Sequence, residues 1–83
     1  MRVEGIDMAA GAYRVAIEKE GRTLHGLVPE TLLGGTDAAR PSHQTAHEAL
    51  ARHSAAIERA MLDLSGGKRP RPPYDVVTLT GES

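Results

Sequence analysis

The chain has 83 residues, a formal net charge of −1, no cysteine and only two aromatic side chains, both tyrosines. This length suits one small domain spanning residues 1–83, and the near-neutral charge argues against direct binding of nucleic acid, which depends on a basic face. The lack of cysteine excludes disulfides and thiol chemistry.

The first third of the chain has the alternating pattern of β-strands. Residues 13–28, YRVAIEKEGRTLHGLV, predict a hairpin, because apolar Tyr13, Val15 and Ile17 alternate with their neighbours. Between the two strands, Glu20-Gly21 supplies a turn with a glycine that can adopt positive φ. We therefore expect an antiparallel strand pair at this point.

The segments that flank the hairpin are shorter. MRVEGIDM, at the start, alternates less cleanly and predicts an additional edge strand, and its acidic residues are unlike a signal peptide. Pro29 ends the second hairpin strand and begins a short helical turn, PETLL. GGTDAARP, residues 34–41, then predicts a loop.

A long amphipathic helix is predicted in the middle of the chain. Ser42 is its expected N-cap, and the helix runs to about Leu64, where Ser-Gly-Gly provides its end. One side of the helix is apolar, with Ala46, Leu50, Ile57, Met61 and Leu64. The opposite side is charged, with Glu48, Arg52, Arg59 and Asp63, and these form two i,i+4 pairs of opposite sign. Such a helix needs a sheet to cover.

The chain ends in a connector and a last strand. Residues 65–74 form a Gly/Pro-rich basic connector, which its prolines keep extended. DVVTLT, residues 75–80, is rich in β-branched residues and predicts a strand that pairs with the hairpin. The predicted fold class is α+β, a small antiparallel sheet of three or four strands with one long helix packed across one face.

Three of the four histidines lie in the predicted helix, and they raise the question of a metal site. His43 and His47 have ligand spacing, but a zinc site needs a third ligand, such as His25 or a carboxylate. Gln44 stands where a helical zinc-protease motif has its glutamate. We therefore interpret these histidines, with His53, as helix-boundary residues and expect no metal or other cofactor, with a His-ligated metal-binding protein as an alternative.

No catalytic constellation is present in the sequence. Ser42 is better explained as a helix cap, no nucleophile elbow occurs, and the two Gly-Gly pairs lack the spacing of phosphate-binding loops. We expect a protein without enzymatic activity.

Two segments are candidates for contact with a protein partner. The hairpin tip carries Glu18 and Glu20, for which solvation of an exposed turn is one explanation and contact with a basic partner surface the other. The connector carries Arg69, Arg71 and Tyr74 and is explained either as a spacer between helix and sheet or as an extended ligand for an aromatic groove or an acidic partner. The chain is expected to be a monomer or a weak homodimer.

The order of these elements resembles a family of short bacterial domains of unknown function. The likeness covers the hairpin, PETLL, the helix HEALARHSAAIERA and the terminal DVVTLTG, while the family's usual aromatic positions are absent. It implies a fold and brings no catalytic residues. In size and style, as a small cysteine-free domain rich in Ala, Arg and Gly, the chain also resembles phage-encoded anti-CRISPR proteins.

The second resemblance implies a stoichiometric inhibitor that covers a surface of a CRISPR effector subunit in the cytoplasm of the host cell. We therefore expect a non-enzymatic protein-binding domain that acts by steric occlusion. The alternative is a small cytoplasmic bacterial domain of unknown function. No apolar run reaches the roughly 18 residues of a membrane span, so a cytoplasmic location without membrane contact is expected.

In a symmetric homodimer, the side chains to be buried are Leu27, Leu62 or Val76.

Overall fold

The computed structural model describes residues 1–35 and 39–82. Four antiparallel strands form one sheet in the order β1-β2-β3-β4, and two consecutive helices cover one face. The strands are β1 Arg2–Asp7, β2 Ala12–Lys19, β3 Arg22–Pro29 and β4 Thr78–Glu82. The helices are α1 His43–Arg52 and α2 Ser54–Ser65, and Glu30–Leu33 and Tyr74–Val76 are short 3-10 turns. The predicted α+β class is confirmed.

Strands β2 and β3 form the predicted hairpin, paired from Ala12 opposite Pro29 to Lys19 opposite Arg22. The connecting residues, Glu20 and Gly21, have φ angles of 50° and 78°. Two successive positive φ angles define the two-residue turn whose twist matches that of the flanking strands. The turn therefore fixes the register and places Glu20 at the hairpin tip.

The first segment forms the predicted edge strand. Strand β1 pairs with β2, and the register shifts between Val3 and Gly5, where Gly5 has a φ of 131°. A bulge of this kind bends an edge strand and interrupts its hydrogen-bonding pattern, which disfavours pairing with another chain.

The predicted single helix is divided into two. His53, with φ −103° and ψ 14°, separates α1 from α2, although its N–H still donates to the carbonyl of Ala49 at 2.9 Å. The expected cap at Ser42 is present, because its hydroxyl accepts a hydrogen bond from the N–H of Thr45 at 3.1 Å. Periodicity predicted the apolar side correctly but could not reveal an interruption of one residue.

The core lies between the sheet and the helices. Strand residues Tyr13, Val15, Ile17, Leu24 and Val28 face buried helix residues Ala46, Leu50, Ile57, Ala60 and Met61. Gly26 lets α2 approach the sheet closely, since a Cβ there would lie 3.0 Å from Cε of Met61 and 2.8 Å from the carbonyl oxygen of Thr78. The open face of the sheet carries polar or charged residues such as Arg2, Glu4, Arg14, Glu18 and His25.

An ion pair between a buried carboxylate and a half-exposed guanidinium links Arg40, just before α1, to the 3-10 turn that follows β3. Glu30, at the start of the predicted PETLL turn, is only 7% exposed, and its carboxylate accepts hydrogen bonds from Arg40 at 2.9 to 3.2 Å. Gly34, with a φ of 94°, ends the turn. Of the predicted loop 34–41, residues 36–38 lie outside the described residues.

The end of the chain differs from its prediction. Asp75 and Val76, expected in the last strand, belong to the second 3-10 turn, which closes with the N–H of Val77 donating to the carbonyl of Tyr74 at 3.1 Å. Val77 is buried in the core and β4 begins only at Thr78. Within the described residues, no helix is long and apolar enough to cross a membrane.

Candidate functional site

A groove runs between α2 and the connector. At one end the N–H of Lys68 donates to the carbonyl of Asp63 at 2.7 Å, and at the other the hydroxyl of Tyr74 shares a hydrogen bond of 3.1 Å with Nδ1 of His53. The connector therefore runs back along the helix. At 1.5 Å per residue, the ten positions from His53 to Asp63 make this stretch about 15 Å long.

The helix side of the groove is one stripe of α2. Ala56, Arg59, Ala60 and Asp63 are spaced at i, i+3, i+4 and i+7, which places them on the same side of a helix. The two alanines leave room that larger side chains would fill. The result is a cleft of about 590 Å³, closed on its other side by Lys68, Arg69, Pro70, Arg71, Pro72 and Tyr74.

The groove is strongly basic for a protein of near-neutral charge. Arg59, Lys68, Arg69 and Arg71 line it, with Asp63 as its acidic member, and all four basic side chains belong to exposed residues. Arg69 lies 3.7 Å from the Asp75 carboxylate. Among the described residues, the other three cations form no ion pair within 4.0 Å.

The expected pairing of Arg59 with Asp63, four positions along the helix, does not close to 4.0 Å in the part of the chain described. Both side chains instead border the groove. Their charges remain available to a ligand.

Three of the five candidate partner-binding residues meet in this groove: Arg69, Arg71 and Tyr74. Sequence reasoning missed Arg59 and Lys68 as members of the same site. Ala56 and Ala60, which flank Arg59, could be recognised in the sequence as small residues on one side of the helix. Nothing in the sequence indicated that the connector would fold back against that side.

The other two candidates, Glu18 and Glu20, lie at the hairpin tip and do not line the groove. The tip is nevertheless close to it in the fold. Lys19 Nζ donates to Ser65 Oγ at 3.5 Å, and Ser65 is the last residue of α2. The acidic tip and the start of the basic connector therefore lie at the same end of the molecule.

The helix histidines are partners of the two tyrosines. The hydroxyl of Tyr13 shares a hydrogen bond of 3.2 Å with Nδ1 of His43, and the Tyr13 ring meets the ring of His47 edge-on with centroids 5.7 Å apart. His53 bonds to Tyr74 in the same way. These contacts agree with the interpretation of the histidines as boundary residues.

His25 lies on the open face of the sheet, where its Nδ1 is 2.9 Å from the Glu4 carboxylate. It therefore cannot join His43 and His47, which lie on the helix side. Among the described residues, no group of three or more His, Asp or Glu side chains is placed to hold a metal ion. The hydrogen bond with His25 lowers the pKa of the Glu4 carboxyl below its ordinary value of 4.5.

The side chains considered for a symmetric dimer differ in exposure. Leu62 is 39% and Val76 45% exposed, whereas Leu27 is half-buried. Single exposed apolar side chains are common on monomeric proteins, so their exposure alone does not define an interface.

Comparisons of the chain with protein-family models, with curated proteins and with solved structures found no match.

Proposed function

We propose that this protein is a non-enzymatic protein-binding domain whose groove between α2 and the connector holds an acidic segment of a partner. The observation that carries the proposal is the set of three basic side chains, Arg59, Lys68 and Arg71, that line a cleft without an ion pair among the described residues. A carboxylate-bearing segment would supply the missing counter-charges.

The dimensions of the groove fit an extended peptide. The helix side of the groove, from Ala56 to Asp63, is about 10 Å long and accommodates about three residues at roughly 3.3 Å each. The floor of Ala56, Ala60 and Pro70 provides an apolar contact for the backbone and side-chain stems of the ligand. The prolines of the connector keep the opposite wall stiff, which reduces the entropy lost on binding.

A peptide fits the site better than a nucleic acid does. Nucleic-acid affinity rests on about six to ten phosphate contacts along a basic face. Here the groove offers four basic side chains over a short length, and Arg69 already lies 3.7 Å from the Asp75 carboxylate, so the phosphate contacts available are fewer than that. Tyr74 is the one aromatic lining residue among those described, so a run of bases has no stacking platform.

The direct test measures the binding of a fluorescent hexaglutamate peptide by anisotropy at low salt. The wild type is expected to bind hexaglutamate and not to bind hexalysine. Replacing Arg59 and Arg71 together by Glu should weaken binding by about tenfold or more. As the matched control, Arg2→Glu with Arg14→Glu makes the same charge change on the open face of the sheet and should leave binding nearly unchanged.

Three results would contradict the proposal. The first is equal loss in both double variants, which would assign binding to net charge. The second is no measurable affinity of the wild type for hexaglutamate. The third is tighter binding of a mixed-sequence single-stranded DNA, abolished by the Arg59 and Arg71 changes, which would make the groove a nucleic-acid site.

The narrower hypothesis, that the partner is a CRISPR effector subunit blocked by steric occlusion, rests on the resemblance in size and style alone. It is tested by a pull-down from cells that express CRISPR effectors. Capture of a stoichiometric effector subunit by the wild type, and not by the Arg59 and Arg71 variant, would support it. If the Arg59 and Arg71 variant still inhibits the effector, the inhibition does not depend on the groove.

A further inference from the structure

The hairpin tip carries acidic side chains that have no partner in the part of the chain that the structure describes. Among residues 1–35 and 39–82, the acidic side chains without a hydrogen bond or ion pair are Glu18, Glu20 and Asp63. Asp63 lies inside the basic groove, whereas Glu18 and Glu20 lie at the hairpin tip. Among the described residues, the tip therefore carries two carboxylates without an ion pair, and the groove carries three cations without one.

Glu20 is also held in an unfavourable backbone conformation. It is the non-glycine residue with positive φ in the described part of the chain, at 50°. The same turn position is usually occupied by Asn, Asp or Gly, which tolerate that region at lower cost. A glutamate that is strained by the turn and has no partner among the described residues contributes little to folding, which favours a role in an external contact.

The tip and the groove lie next to each other. The contact between Lys19 and Ser65 places the tip beside the end of α2, and the groove begins three residues further at Lys68. When two complementary patches lie at the same end of a molecule, a two-fold axis near that end can bring each patch to its complement on the other copy. Both contacts then form at once.

We propose that, in the absence of another partner, the groove is occupied by the hairpin tip of a second copy of this chain. Glu18 and Glu20 of one copy face Arg59, Lys68 and Arg71 of the other, and the arrangement is reciprocal. This inference rests on the proposed function of the groove as a binding site for acidic segments. Because the contacts are few and exposed, the homodimer is weak and sensitive to salt.

The test is analytical ultracentrifugation at increasing protein concentration and low salt. The wild type is expected to shift from monomer toward dimer, and about 0.5 M NaCl should reverse the shift by screening. A tip variant, Glu18→Lys with Glu20→Lys, and a groove variant, Arg59→Glu with Arg71→Glu, should each remain monomeric.

A mixture of the two variants gives the decisive result. In the tip variant both patches are basic and in the groove variant both are acidic, so each repels itself and attracts the other. Equimolar mixing is expected to restore dimerisation as a heterodimer. A mixture that stays monomeric, or a tip variant that dimerises like the wild type, would overturn the inference.

The hexaglutamate assay separates this inference from the proposed function. If the wild type binds the peptide but remains monomeric at millimolar concentration, the groove keeps its function and the second copy is excluded as its occupant. If it dimerises without binding the peptide, the dimer uses another surface and both statements fail. If the proposed function and this inference are both correct, hexaglutamate and the second copy compete for the groove, and added hexaglutamate dissociates the dimer.

Discussion

The hydroxyl of Tyr13, a residue only 2% exposed, shares a hydrogen bond of 3.2 Å with Nδ1 of the exposed His43. A strand in the middle of the sheet is thereby joined to the first turn of α1. Since Tyr13 is one of the largest buried side chains, its polar atom needs a partner at this position.

Removing the Tyr13 hydroxyl and removing the His43 ring should destabilise the protein to different extents. Tyr13→Phe deletes the hydroxyl together with its need for a hydrogen bond and should lower the free energy of unfolding by about 1 kcal/mol. His43→Ala leaves the hydroxyl buried without this partner and should cost about 1–3 kcal/mol. Urea unfolding of both variants and of the double variant measures the coupling.

The matched control is His47→Ala, which removes an edge-on ring contact with Tyr13 but no hydrogen bond. It should cost less than His43→Ala. If the losses in the free energy of unfolding caused by Tyr13→Phe and His43→Ala simply add in the double variant, the hydrogen bond contributes nothing to stability.

The Glu30 carboxylate should contribute to the stability of the fold through its ion pair with Arg40. Because it is buried and accepts its hydrogen bonds from Arg40, Glu30→Gln should lower the free energy of unfolding by about 1–3 kcal/mol. Arg40→Ala should also destabilise the protein, since it leaves the buried Glu30 carboxylate without its cationic partner. Glu48→Gln, which alters an exposed helix carboxylate, is the control and should leave the thermal midpoint nearly unchanged.

Sequence patterns predicted those parts of the fold that depend on local alternation. The hairpin, its Glu20-Gly21 turn, the Ser42 cap and the apolar side of the helices follow from residues close together in the chain. The burial of Glu30 could not be predicted, because its partner Arg40 lies ten positions away across a turn and a loop.

The groove was predicted only in part for a similar reason. Arg69, Arg71 and Tyr74 were recognisable as basic and aromatic residues in a proline-rich segment. Their convergence with Arg59 depends on the connector folding back along α2, and the bond between His53 and Tyr74 that accompanies this has no local signature. The same tertiary contact accompanies the break of the helix at His53.

The pair of Glu4 and His25 predicts a defined dependence of stability on pH. The hydrogen bond lowers the pKa of Glu4 in the folded protein below 4.5, so its contribution is present above the unfolded pKa and is lost as pH falls through the folded pKa. Glu4→Gln should therefore be less stable than the wild type at neutral pH. The difference should shrink as the pH drops below about 4.5.

Thermal midpoints of the wild type and Glu4→Gln across this acidic range measure the effect. Glu18→Gln serves as the control, because its carboxylate has no hydrogen bond or ion pair among the described residues. A Glu4 effect that is constant from neutral to strongly acidic pH would contradict the linkage.

Glu20 offers a change in which stability and association should move in opposite directions. Asn adopts positive φ more readily than Glu, so Glu20→Asn should raise the free energy of unfolding by up to about 1 kcal/mol. The same change removes a carboxylate from the hairpin tip and should weaken self-association through the groove. Glu20→Gln is the matched control, since it removes the charge without relieving the turn and should weaken association with no gain in stability. Urea unfolding and sedimentation of both variants test this separation, and a Glu20→Asn variant that gains stability but dimerises like the wild type would show that the strained carboxylate has no part in the contact between copies.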